Sequence, residues 1–516
     1  MDQILEGISL VLQWENLLLA MFGVAAGMVL GCIPGLNANV GIVLLLPFTF
    51  YLGPVPGIAM LMGMSKGDGF GGSIPSILFN IPGTAHAVVT TLDGYPLTKK
   101  GQGGKALETA LAASCTADFT SDLILIFLAA PVAAMALHVG PPEYTMIVLF
   151  SVVLIALAAS DDPLRGLVST GLGLLLAAVG MDPDEGTERL TFGILDLCDG
   201  IPLMPLALGL MAVSELFRQS ETSFFRYFRG LGLQEHVAFS TGRPEDEHLS
   251  WKEYKSLLPT IFRSTGIGSL IGILPGIGTS VASYLSYVVA KRRSKHPEKF
   301  GTGVLEGVAS CEAGNNAVNG PNLIPLVTLG IPGNLAAALI LGGLMVKGLT
   351  PGPTFMENQA PMLYALFTVM LFSNIFTFLF RLLVVVALGF LFGKLAIRYA
   401  HKMTSISPSA LHGNILILCA MGCYVSQNSA FALLIMFTFA VVGYIFLRLK
   451  LSLPVFLVAY ILGSMLEHKL RQSLALSDGD FTIFLTRPIS ATFLALTVIC
   501  TLYFLFRKKS ASGKAS

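Results

Sequence analysis

The chain has 516 residues, 54% of them hydrophobic and 12% charged, with a mean hydropathy of +0.74; soluble domains carry roughly 25% charged residues, so a water-soluble fold is excluded. A formal net charge of +1 gives no field to attract nucleic acid, and no basic tract is interleaved with aromatics, which argues against nucleic acid as a partner. Seven cysteines (Cys32, Cys115, Cys198, Cys311, Cys419, Cys423, Cys500) lack the spacing of a zinc site or a disulfide framework and read as small packing residues.

Asp2, Glu6 and Glu15 precede the first apolar run without any Lys or Arg. This start lacks the basic region of a signal peptide, so insertion is expected to rely on uncleaved spans. Apolar runs of about 17 to 25 residues, the length that crosses a bilayer core, recur from Leu17 to Phe506. The first, Leu17 to Leu52, predicts a helical hairpin bent at Pro34-Gly35, with Gly23, Gly27 and Gly31 as a face for close helix contact. An interrupted span holding Pro82-Gly83 follows, then helices at about Ala106 to Leu137, Glu143 to Ser160, Gly166 to Met181 and Ile201 to Phe217. A polar stretch from Arg218 to Lys255 divides the chain. The second half opens with a hairpin, Leu258 to Ala290, bent at Pro275-Gly276, and continues with an interrupted span holding Pro332-Gly333. Helices at about Met362 to Phe392, Leu411 to Tyr424, Ala430 to Leu447, Pro454 to Leu466 and Ile489 to Phe506 complete it. The expected division is residues 1–217 as a first transmembrane repeat, 218–256 as a cytoplasmic linker and 257–516 as a second repeat plus a final helix.

Two landmarks recur in the same order. Gly27 and Gly31 precede Pro34-Gly35 as Gly268 and Gly272 precede Pro275-Gly276, and Ser73 to Gly83 (Ser-Ile-Pro-Ser-Ile-Leu-Phe-Asn-Ile-Pro-Gly) parallels Leu323 to Gly333 (Leu-Ile-Pro-Leu-Val-Thr-Leu-Gly-Ile-Pro-Gly). This argues for duplication. Lys and Arg in short loops favour the cytoplasm. That rule puts inside the Arg218 to Lys255 linker, the Lys99-Lys100, Arg292-Arg293 and Lys394 to Lys402 loops, the Arg448 to Lys450 turn and the Arg507-Lys508-Lys509 tail. The acidic Asp182 to Asp199 stretch falls outside, and the basic Lys469 to Arg471 turn runs against the pattern. Equivalent loops then lie on opposite sides. The expected fold is an all-α integral membrane protein with two inverted-topology repeats containing Pro-Gly-broken helices or helical hairpins.

Pro and Gly within an apolar run free backbone N–H and C=O groups that hydrocarbon cannot satisfy. Four such breaks, paired by repeat, suit a secondary transporter, in which half-helix N-termini hold an anion near the membrane midplane and unwound carbonyls hold a coupling cation; ordinary kinks are the bland alternative. The candidate substrate-binding residues are Pro34, Gly35, Asn37, Asn39, Lys66, Ser73, Asn80, Pro82, Gly83, Thr84, Pro275, Gly276, Gly278, Thr279, Ser280, Asn315, Asn316, Pro332, Gly333 and Asn334. The small polar ones offer neutral hydrogen bonds to a carboxylate, or equally cap helices. Lys66 would compensate a substrate carboxylate or pair with Asp68. Asp68, Glu312 and Asn319 are the candidates for cation or proton coupling, since ionisable groups at membrane depth are costly and usually functional. Asp118 and Asp122 lie one helical turn apart with Arg381 in the matching span of the other half, where a buried ion pair is the alternative reading. No catalytic residue and no cofactor is expected, a sodium ion as coupling ion aside.

The stretch Gly69 to Thr84, followed by Asp93 to Lys105 (Asp-Gly-Tyr-Pro-Leu-Thr-Lys-Lys-Gly-Gln-Gly-Gly-Lys), resembles the first signature of the large membrane subunit of the tripartite tricarboxylate transporters. Gly272 to Gly278, Glu306 to Ala309 and Glu312 to Ala317 resemble the second. Phe70 and Pro75 depart from that pattern, where a tyrosine before Gly-Gly-Ser and a smaller residue in place of proline would stand. The resemblance implies a multi-pass subunit of a bacterial inner-membrane complex, with a small membrane subunit and a periplasmic solute-binding protein as partners. It further implies import of citrate-like tricarboxylates or other organic acids on a sodium or proton gradient. Two other readings, a membrane-embedded enzyme acting on lipid-linked substrates and a channel, lack their signatures. The histidines are not spaced as a metal pair, no nucleotide-cradling Gly-Lys loop occurs, and there is no repeated filter or charged ring.

Overall fold

The computed structural model describes residues 2–33, 37–160, 162–182, 186–218, 221, 246, 248–353, 355–390 and 408–512. Pro34 and Gly35, most of the polar linker and the Lys394 to Lys402 loop lie outside the described residues, as do the side chains of Arg381 and of the Arg507-Lys508-Lys509 tail.

The first half runs α1 (Asp2–Val11), α2 (Trp14–Gly31), α3 (Ala38–Thr49), α4 (Pro54–Gly71), α5 (Ser73–Phe79), α6 (Thr91–Lys99), α7 (Gly103–Ala136), α8 (Pro141–Ala158) and α9 (Pro163–Ala177). A two-stranded hairpin follows, β1 (Gly180–Met181) with β2 (Glu188–Arg189), and then α10 (Leu203–Ala207), which continues as a π-helical segment over Leu208–Val213. The second half runs α11 (Trp251–Ile273), α12 (Gly278–Arg293), α13 (Leu305–Asn316), α14 (Leu323–Leu329), α15 (Leu335–Val346), α16 (Phe355–Asn358), α17 (Ala360–Phe390), α18 (Pro408–Gln427), α19 (Ala430–Arg448), α20 (Leu453–Ala475), α21 (Ile483–Thr486) and α22 (Pro488–Ser512). By length and composition six of the described helices can cross a membrane: α2, α7, α8, α17 (within Ala360–Leu379), α19 and α20. The protein is therefore an all-α, multi-pass membrane protein.

Two expected helix ends are corrected. The helix predicted from Gly166 to Met181 starts at Pro163, behind an Asp162 cap, and stops at Ala177; Gly180, at φ +126°, turns the chain into the small hairpin. The basic Lys469 to Arg471 segment, expected as a turn beyond a helix ending at Leu466, lies inside α20, which runs on to Ala475. Arg471 bonds Asp182 at 2.6 Å and Glu467 at 2.9 Å, and Arg189 bonds Glu467 at 2.5 Å, so two arginines and two carboxylates fasten the hairpin to α20.

Lipid tails are as apolar as leucine, so helix association in a membrane relies on close packing rather than on expulsion of water. The tightest contact is α2 on α4, where a Cβ at Gly23 or Gly27 would overlap the carbonyl oxygens of Met60 and Met64, and one at Gly63 or Gly67 those of Ala20 and Val24. The small-residue face read from the sequence is thus met by a second glycine face. In the other half, Gly268 packs on Gly314 as Gly27 does on Met64, and Gly272 on Val318 as Gly31 does on Asp68. The long helices exchange partners. Both pack on each other, but α7 also lies on α11, α13 and α14 of the second half, while α17 lies on α2 and α4 of the first. Around this centre, α8 packs with α9, α20 and α22, and α19 with the π segment.

Leucine at Gly27 has only backbone to displace, so overpacking should cost about 3 kcal/mol or more, whereas a Cβ at Gly171 meets nothing within 4 Å. Gly27→Leu is expected to abolish the monodisperse peak in detergent size-exclusion chromatography, and Gly171→Leu to keep it.

Candidate functional site

The two short helices that precede the inner breaks end alike. Asn80 (φ 55°) and Gly330 (φ 66°) take the left-handed conformation, and the next N–H reaches back six residues, Ile81 to Pro75 O at 3.3 Å and Ile331 to Pro325 O at 3.1 Å. Beyond each cap the Ile-Pro-Gly segment leaves helical geometry, and its freed groups are satisfied within the protein. Gly83 N donates to Gly72 O at 3.2 Å, with Gly83 set against the Gly31 carbonyl. Gly276 N donates to Gly333 O at 2.8 Å, joining the two breaks of the second half. Pro275, Gly276, Pro332 and Gly333 are buried, while Gly278, Thr279, Ser280 and Asn334 are half-buried.

That single hydrogen bond brings together the starts of α12 and α15, two positive helix ends. Asn334 caps α15, accepting from Ala337 N at 2.9 Å. Asn37 caps α3 in the same manner, accepting from Asn39 N and Val40 N at 3.1 and 3.3 Å. In the first half, however, Asp68 faces the backbone N–H of Ala38, so the positive end of α3 already has a carboxylate of the chain's own; the matching position, Val318, is apolar. Asn80 is exposed at its cap, Asn39 is half-buried, and Thr84 is buried with Oγ1 2.9 Å from His86 Nε2.

A buried polar seam runs along α7, where Ser114, Asp118 and Asp122 stand at four-residue intervals on one face. Lys66 reaches it from α4, with Nζ 3.2 Å from Asp118 Oδ1 and 2.9 and 3.0 Å from the two Asp122 oxygens. Lys66 therefore pairs with these aspartates and not with Asp68. Asn319 donates to Asp118 Oδ1 at 3.2 Å, and Asn374 of α17 to Asp122 Oδ2 at 2.6 Å. One turn along, Glu312 of α13 accepts from Ser73 at 2.7 Å, from Ser114 at 3.2 Å and from Thr90. Asn316 donates to Ser114 Oγ and to the Glu312 carbonyl at 2.8 and 2.9 Å, and Asn315 to Gly69 O at 3.4 Å. The coupling candidates Glu312 and Asn319 thus share one seam with Lys66, while Asp68 faces the other way.

Thr90, Ser114, Asn374 and His86 were not candidates from sequence. The Ser114, Asp118, Asp122 spacing is a legible stripe; Thr90 and Asn374 come from distant segments and carry no local signal. Asp93, within the first signature, is a latch between the halves. Its Oδ1 accepts from the backbone N–H groups of Gly301, Gly303 and Val304 at 2.8–3.0 Å, and its Oδ2 from the Tyr287 hydroxyl at 2.8 Å. Among the described residues no three His, Cys, Asp or Glu side chains converge as a metal-holding group.

Paired helix breaks beside a buried charge network, in a multi-pass helical bundle, are the architecture of a membrane carrier. The chain belongs to the Tripartite tricarboxylate transporter TctA family, whose pattern matches residues 17–458. It is 35% identical, over 94% of its own length and 92% of the relative's, to an uncharacterized 52.8 kDa protein in the TAR-I ttuC' 3'region of Agrobacterium vitis. It is 37% identical, over 46% of its length and 92% of the relative's, to an uncharacterized protein in the TAR-II ttuC' 3'region of the same organism. No solved structure matches the chain.

Lys66→Met would leave two buried carboxylates without their cation, a loss of about 3–5 kcal/mol. Thermal unfolding in detergent should show that loss, and adding Asp118→Asn and Asp122→Asn to Lys66→Met should recover much of it.

Proposed function

We infer that the chain is the large membrane subunit of a binding-protein-dependent secondary transporter in a bacterial inner membrane. It imports small carboxylates, citrate-like tricarboxylates or other organic acids, on a sodium or proton gradient. The observation that carries this reading is the Gly276 to Gly333 hydrogen bond, which sets the N-termini of α12 and α15 side by side. Two positive helix ends with Thr279, Ser280 and Asn334 around them offer neutral and backbone N–H or O–H donors, the chemistry that takes a carboxylate without a fixed counter-charge. At the break of the first half, Asn37, Asn39, Gly83 and Thr84 are the corresponding groups, with Asp68 beside them as a coupling group.

In this reading the partners are the carboxylate, a small membrane subunit and a periplasmic solute-binding protein, and the chain itself carries out no catalysis. The matching glycine contacts and the matching left-handed caps support two repeats. The exchanged packing of α7 and α17 and the charge pattern of the loops support their inversion. Alternating access then moves the broken segments against the α8, α9, α20 and α22 group, which Gly276 touches at Ile155.

The test is uptake of a labelled carboxylate panel into proteoliposomes holding this chain, its small membrane partner and the binding protein, with sodium and proton gradients imposed separately. Gradient-driven uptake that requires the binding protein is expected. Asn334→Ala with Ser280→Ala should raise KM at least tenfold, at about 1.5 kcal/mol for each bond lost to a charged group. A wild-type KM in that variant would place the carboxylate elsewhere.

A further inference from the structure

The loop between α9 and α10, which carries the β1–β2 hairpin, takes no part in the helix breaks or the buried seam, yet it presents an apolar surface. Phe192 and Leu195 are 84% and 85% exposed, and Leu190 and Ile194 beside them are exposed as well. An exposed apolar side chain on a helix can be covered by lipid. Here the backbone is strand and turn, and irregular backbone does not face hydrocarbon. From Gly180 to Gly200 the sequence also holds six carboxylates against one basic residue, Arg189, and the charge rule puts this stretch on the outer side. The apolar patch therefore stands in water. The turn that follows α20 repeats the pattern at the same end of the bundle, with Leu476 and Phe481 exposed beside Asp478 and Asp480.

The patch is held in place by its own loop. Leu190 and Phe192 have φ of 54° and 52°, the left-handed region that bulky residues rarely adopt. Thr191 between them is buried, with its hydroxyl donating to Glu188 at 2.8 Å. Ile194 N donates to Thr191 O at 2.9 Å, and the N–H groups of Leu197, Cys198 and Gly200 continue the turns at 3.0 Å. The ion pairs of Arg189 and Arg471 tie the base of the loop to α20. That helix lies so close to α9 that a Cβ at Gly173 would overlap the Phe456 carbonyl. The loop thus belongs with the α8, α9, α20 and α22 group and not with the broken segments.

Charge decides what covers the patch. Glu188, Asp196 and Asp199 flank the apolar residues in the chain, are exposed, and form no ion pair among the described residues. An anionic lipid surface repels such a face, and a second copy would set the same carboxylates against themselves across a twofold axis. A subunit embedded in the bilayer would meet helix faces and not a loop in water. We propose that this loop is the docking surface for the soluble solute-binding protein, which meets it with an apolar hollow rimmed by Lys or Arg. The proposal rests on the transporter reading above and adds the place where the binding protein sits. Phe192 and Leu195 supply the desolvated centre of the contact, and the carboxylates steer the encounter. Docking on the scaffold group leaves the broken segments free to move while substrate is delivered.

The experiment measures binding of the carboxylate-loaded solute-binding protein to nanodiscs holding this chain and its small membrane partner, by biolayer interferometry at low and at high salt. Phe192→Ser with Leu195→Ser is expected to raise Kd at least tenfold while the small membrane subunit stays bound. Asp196→Lys with Asp199→Lys is expected to slow association about fivefold at low salt and to remove most of its salt dependence. Unchanged affinity in the Phe192 and Leu195 variant overturns the proposal and leaves the patch to lipid or to a second copy. Loss of the small membrane subunit from that variant also overturns it, and gives the loop to that subunit. Either result leaves the transporter reading standing where wild-type uptake is gradient-driven. Absence of both uptake and binding in the wild-type complex removes that reading, and this proposal with it.

Discussion

A backbone N–H or C=O that leaves its helix inside a bilayer must find another partner within the protein. In this chain that constraint organises the middle of the molecule. Breaking a helix once frees groups that a single helix cannot satisfy, and in the second half the two breaks satisfy each other, Gly276 donating to Gly333. In the first half Gly83 donates to Gly72 and lies on Gly31. Because the two breaks of the second half answer each other, the starts of α12 and α15 come together there instead of facing lipid, which is why the proposed function puts the carboxylate at them.

Such backbone exchange needs helices closer than ordinary side chains allow. The glycine faces of α2 and α4 give that closeness, and they also bring Lys66 of α4 within reach of α7. The charge of the Lys66, Asp118 and Asp122 triad is kept away from the breaks of the second half, whereas Asp68 stands at the start of α3 in the first. Lysine and the two aspartates lie on the seam between α4, α7 and α17, while the break residues are neutral.

Much of this architecture was legible in the sequence because its signals are local. Hairpin boundaries near Gly31, Ala38, Ile273 and Gly278, the paired Ile-Pro-Gly caps and the glycine face of α2 follow from Pro, Gly and apolar run length. The early stop of α9 was missed because Val179, Gly180 and Met181 continue an apolar run, and only the backbone turn at Gly180 distinguishes them. The alternative partner offered for Lys66, Asp68, fails for a different reason. Asp68 is near in sequence, yet two positions along a helix point to different sides, and Asp118 and Asp122 reach Lys66 only through tertiary packing. Thr90 on Glu312 and Asn374 on Asp122 are likewise long-range pairings. Asn37 and Asn334, read as either caps or substrate contacts, are caps in the structure.

The central claim is that the joined breaks of the second half hold the carboxylate, and a cryo-electron-microscopy map of the complete complex with bound substrate tests it most directly. The account predicts carboxylate density between the start of α12, at Gly278 to Ser280, and Asn334 at the start of α15, with Lys66 still on Asp118 and Asp122. Density for the carboxylate away from both helix starts, or on Lys66 with the aspartates displaced, would contradict it.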